Sequence, residues 1–125
     1  MLSCAMTKGG NMKITLEEFA DDLVSNSGWY SPQMPQSAGE AIKALIERGL
    51  VNPDIQVKIT FARGSYQISD FSEGNSQLYY FDLFPIIQPH TKEEVLSEWR
   101  NITSHFMCNP RLELEDGMFV LELCS

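Results

Sequence analysis

Apolar residues begin to recur with a helical period at Leu16. Leu16, Phe19, Ala20, Leu23 and Val24 fall on one face of a 3.6-residue repeat. Thr15 and Glu18 stand before it with the spacing of a capping box, in which hydroxyl and carboxylate each satisfy one free backbone amide. Asn26-Ser27-Gly28 is a stop signal. Ala41, Ile42, Leu45 and Ile46 repeat the pattern. Ser37 and Glu40 would cap this second helix, although Gly39 weakens its first turn, and Gly49 with Pro53 beyond it is the stop. The third and longest amphipathic run is Val95, Leu96, Trp99, Ile102 and Phe106, with Thr91 and Glu94 as its capping box.

Between the second and third helices the period changes to two. Ile55, Val57, Ile59 and Phe61 alternate with Gln56, Lys58 and Thr60, which predicts a half-buried strand. A two-residue turn at Arg63-Gly64 would set Phe61 opposite Tyr66 and Ile59 opposite Ile68. A turn over residues 72–76 then leads into an aromatic strand over residues 78–84, ended by Pro85 and Pro89. Tyr79, Phe81 and Leu83 are expected under the helices; Leu78, Tyr80, Asp82 and Phe84 are expected outside. After the third helix, Asp116-Gly117 marks a hairpin that faces Leu114 with Phe119, Leu112 with Leu121 and Arg111 with Glu122.

The expected order is therefore α-α-β-β-β-α-β-β. Short links within each β run favour antiparallel pairing. The expected fold class is α+β: a two-layer sandwich, with a roughly five-stranded, mainly antiparallel sheet and its three helices on one face. Residues 1–11 carry no periodicity. The codons of Lys8-Gly9-Gly10 are compatible with a purine run resembling a bacterial ribosome-binding site, a short distance before Met12. Residues 1–11 thus read as a disordered leader or a non-native upstream extension, and residues 12–125 as a single α+β domain.

Composition narrows the function classes. The chain has 125 residues, 43% hydrophobic and 21% charged, which suits one globular domain. A net charge of −8 argues against direct nucleic-acid or anionic-membrane binding and permits a basic partner; it also serves solubility alone. Cys4, Cys108 and Cys124 lack the paired spacing of a disulfide framework or zinc knuckle, so they read as reduced thiols in the cytoplasm. No secretory signal or membrane-spanning run is present.

No phosphate loop, nucleophile elbow or metalloprotease motif occurs, and neither a cofactor nor a metal is expected. His105 and Cys108, three residues apart, offer at most half a metal site. Asp82 interrupts an apolar stretch. It is either an anchor or base on an aromatic platform, with partial desolvation raising its pKa, or a solvated acid.

The final hairpin directs Glu113, Glu115, Met118, Val120 and Glu122 outward, beside Tyr80 and Asp82. Carboxylates around aromatic and aliphatic side chains suit a face that docks a protein: desolvated anchors with a charged rim. The loop holding Trp29, Tyr30 and Met34 adds residue types favoured as binding anchors, or else is a lid over the core edge. Tyr80, Asp82, Glu113, Glu115, Glu122, Trp29 and Tyr30 are the candidate partner-binding residues. The expected function is a small acidic cytoplasmic protein-binding module of bacterial or phage origin: an immunity protein, antitoxin or inhibitor that occludes a basic, nucleic-acid-acting protein. Two alternatives stand beside it. One is a small-ligand site or enzyme between helices and sheet, using Asp82, His105 and Tyr80. The other is a structural homodimer.

Overall fold

The computed structural model describes residues 11–25, 33–63, 77–107 and 109–123. Its elements run β1 (Asn11–Thr15), α1 (Leu16–Ser25), α2 (Gln33–Glu47), β2 (Gln56–Arg63), β3 (Gln77–Leu83), α3 (Lys92–Thr103), β4 (Arg111–Glu115) and β5 (Met118–Leu123). The five strands form one antiparallel sheet in the order β1-β2-β3-β5-β4. The helices cover one face, so the fold is α+β in two layers. The expected strand around Tyr66 and Ile68, with its turn at Arg63-Gly64, lies outside the described residues, but the expected pairing of Ile59 with Ile68 does not form, because Ile59 pairs with Met12 of β1 on one side and Phe81 of β3 on the other. β1 is an element that the apolar pattern did not reveal. Asn11, assigned to the leader, is its first residue and pairs with Thr60.

Local signals set most helix ends. Thr15 ends β1 and caps α1: the Glu18 amide donates to Thr15 Oγ1 at 3.1 Å and the Thr15 amide to Glu18 Oε1 at 3.1 Å. Thr91 and Glu94 do the same for α3, at 3.2 and 2.8 Å. Gly49, at φ 75°, ends α2 in a Schellman motif, with the Gly49 amide bonded to Ile46 O and the Leu50 amide to Leu45 O. The capping box expected at Ser37 does not form. α2 already begins at Gln33, and Pro35 occupies its first turn, where no backbone donor is required. Gly39 instead permits close helix packing: a Cβ there would stand 2.7 Å from Ala20 O and 2.7 Å from Val24 Cγ2 of α1.

The core lies between the layers. Phe19 of α1 meets Tyr79 edge-on at 5.4 Å and Phe81 at 5.7 Å. Burial, and next the carboxylate of Asp22, hold the Tyr79 phenol well above its ordinary pKa, so it stays neutral. Trp99 is buried on α3 and its indole N–H donates to Pro110 O at 2.8 Å, tying the helix to the entry of β4.

Two expected core positions are corrected. Ile55 precedes β2 and is 44% exposed, because strand alternation starts only at Gln56. In β3, Ile59 pairs with Phe81 but Lys58 pairs with Leu83, so Asp82 is an extra, bulged residue. Asp82 and Leu83 both turn outward, Leu83 being 51% exposed. Phe84 returns to the core instead of lying outside, and its ring stands 5.0 Å from Phe81 and 4.7 Å from Phe119.

Candidate protein-binding face

The hairpin register builds this face. Asp116 and Gly117 take φ of 53° and 81°, the positive values that a two-residue turn needs. Glu115 then pairs with Met118, Glu113 with Val120, and Arg111 with Glu122. β3 continues each row: Tyr80 pairs with Val120, and Leu78 with Glu122. The outer face therefore reads Leu78–Glu122–Arg111 in one row and Tyr80–Val120–Glu113 in the next.

The Tyr80 hydroxyl donates to Glu115 Oε1. The two residues stand on β3 and β4, so the phenol crosses over β5. This accounts for Val120, which belongs to the outer face yet is only 8% exposed. A shallow groove of about 200 Å³ remains, with Leu78 and Val120 as its apolar parts and Tyr80, Glu113, Glu115 and Glu122 around them. Arg111 approaches Glu122 at 3.8 Å across the strands; Arg111 is well exposed and the separation is long, so this pair contributes little. Glu113 and Glu115 are exposed.

Tyr80, Glu113, Glu115 and Glu122 are thus brought together. Asp82 is not among them. The bulge places it toward β2, where it accepts from Thr60 Oγ1 at 3.2 Å and lies 3.9 Å from Lys58 Nζ. It is an exposed acid with a donor and a cation beside it, not a desolvated one on an aromatic platform. Phe84, expected in that platform, is in the core. Trp29 and Tyr30 lie outside the described residues.

The site imagined between helices and sheet does not assemble. Tyr80 and Asp82 stand on the far side of the sheet, and His105 is an exposed residue of the turn after α3. Phe19, Tyr79, Phe81, Trp99 and Phe119 fill the space between the layers. Cys108 lies outside the described residues, among which no three acidic, histidine or cysteine side chains cluster as metal ligands.

A second concavity, of about 330 Å³, runs between α3 and β4 past Trp99, Thr103 and Leu112. Sequence reasoning missed it, because it exists only where α3 meets the edge of the sheet. Among the described residues no helix is long and apolar enough to cross a membrane. Compared with family models, curated proteins and solved structures, the chain gives no significant match.

Proposed function

We propose that this chain is a protein-binding module whose outer sheet face docks a basic protein. The observation that carries the reading is the groove of Leu78, Tyr80 and Val120 with Glu113, Glu115 and Glu122 around it. An apolar floor gives the partner something to bury, and carboxylates at the rim attract cations without being buried themselves. A net charge of −8 extends the same attraction over the approach path. A small acidic protein of this kind fits the role of a cytoplasmic immunity protein, antitoxin or inhibitor, covering the cationic site of an enzyme that acts on nucleic acid.

The experiment is capture of the partner from the source cell, then binding kinetics at several salt concentrations. The expected partner is basic, and its association rate falls as salt rises, since exposed charges are screened within about 8 Å at physiological ionic strength. An acidic partner, or an association rate indifferent to salt, overturns the reading.

A further inference from the structure

β4 closes the sheet on one side. β5 pairs along one of its edges, and no described residue pairs along the other. The hairpin decides which backbone groups face that free edge. In a two-residue turn the flanking residues, here Glu115 and Met118, form the hydrogen-bonded pair, and the bonding alternates from there. Arg111, Glu113 and Glu115 therefore direct their amides and carbonyls toward β5, while Leu112 and Leu114 direct theirs outward. The side chains alternate as well. Arg111, Glu113 and Glu115 are exposed on the outer face, and Leu112 and Leu114 lie on the helix side with the core.

We propose that this edge pairs with β4 of a second copy of the chain, antiparallel about a two-fold axis at Glu113, to make one continuous sheet. The strand Arg111-Leu112-Glu113-Leu114-Glu115 is complementary to its own reverse. Arg111 faces Glu115 of the partner subunit, and Leu112 faces Leu114 of the partner subunit, each twice by symmetry. The hydrogen-bonding phase agrees, because Leu112 and Leu114 are the residues whose backbone groups point outward.

Neighbouring registers are poorer. Centring on Leu114 opposes Glu113 to the partner's Glu115 twice, and like charges directly opposite are destabilising. Centring on Leu112 puts Pro110, which has no amide hydrogen, at a bonding position twice. The chosen register carries a single like-charge contact, Glu113 against the partner's Glu113. Both helical layers then lie on the same face. The partner's Leu114 points into the concavity beside Trp99 and Leu112, the space of about 330 Å³ that α3 and β4 leave open.

So short an edge gives an interface at the small end of the range, hence a weak and reversible dimer. The inference goes beyond the docking of a basic partner. It uses the edge of the sheet, and it is tested on the protein alone, so either can fail without the other.

The test is sedimentation equilibrium of the full chain from about 5 to about 500 µM, with thermal melting of every variant to separate dissociation from unfolding. Wild type is expected to dimerise within that range. Arg111→Glu sets Glu against Glu twice and weakens the dimer about tenfold; Glu115→Arg sets Arg against Arg with a similar effect. Combining the two restores both pairs with their signs exchanged, so the dimer returns to within about threefold of wild type. Glu113→Thr removes the one like-charge contact and tightens the dimer several-fold. Wild type and Glu113→Thr both monomeric at the highest concentration would overturn the proposal. So would a dimer that the charge exchange leaves unaltered, since that dimer uses another surface.

Discussion

Tyr80 on β3 donates its hydroxyl to Glu115 on β4, and its ring thereby spans the whole width of β5. One side chain covers Val120 from solvent and holds a rim carboxylate in place. Anchor and rim are coupled, and substitutions at Tyr80 separate their contributions.

Tyr80→Phe keeps the ring over Val120 and loses the bond to Glu115; its expected stability cost is within about 1 kcal/mol. Tyr80→Ala uncovers Val120 and is expected to lose about 1–3 kcal/mol in a urea titration. Against a bound partner, the alanine variant is expected to dissociate faster, at a cost of about 2 kcal/mol or more. Equal dissociation rates for wild type and Tyr80→Ala would remove Tyr80 from the interface.

Reversing Glu113, Glu115 and Glu122 to Lys tests the rim. The interactions from Tyr80 to Glu115 and from Arg111 to Glu122 are among those lost. Each has an exposed member, Glu115 in one and Arg111 in the other, so the expected loss of stability is only about 1–2 kcal/mol. Stopped-flow association with the partner is expected to slow at least about tenfold and to lose its salt dependence. Unchanged association would leave these carboxylates a solubilising role.

Trp99→Ala is expected to cost roughly 3–5 kcal/mol, since the indole is buried at the centre of α3. It also leaves Pro110 O without the donor it now has. Trp99→Phe keeps much of the volume and still loses that bond, and is expected to fall between the two. Chemical denaturation of the three proteins checks the order.

Gly39→Ala runs against helix propensity. Alanine at an exposed helical site stabilises by about 1 kcal/mol over glycine. Here the added Cβ meets a backbone oxygen, Ala20 O, at 2.7 Å, so α1 and α2 must separate. The expected result is a net loss of about 1–2 kcal/mol. A more stable Gly39→Ala protein would mean that the two helices separate at little cost.

Glu94 carries a pH dependence. The Thr91 backbone amide, and then His90, hold its carboxylate below the ordinary glutamate range. A depressed folded-state value means that the stabilisation is fully present above the ordinary range and is lost as pH falls through the depressed value. Carbon-detected NMR titration of Glu94 is expected to show the low value, and His90→Ala, which removes the second partner and leaves the Thr91 amide, to raise it part of the way. A Glu94 titration unaffected by His90→Ala would remove His90 as a cause.

Short-range chemistry was legible in the chain. Thr15 with Glu18, Thr91 with Glu94, Gly49, and Asp116-Gly117 each act through partners within a few residues, so their spacing alone implies the bond. The β4–β5 register was readable for the same reason, and with it the grouping of Glu113, Glu115 and Glu122. What a distant strand or helix imposes was not readable. The bulge at Asp82 arises from how β2 pairs with β3, and a single extra residue exchanges inside and outside beyond it. That shift moved Leu83 out, Phe84 in, and Asp82 away from the candidate face. β1 has too few apolar positions to announce itself and is held as a strand by pairing with β2. Gly39 looked like a flaw in a helix until α1 stood against it. The amino-acid sequence by itself determined caps, turns and the periods of its apolar faces, because these are set by neighbours in the chain. Which residues those faces meet, and the crossing of Tyr80 over β5 to Glu115, were decided by tertiary structure, because only pairing between remote strands brings them within reach.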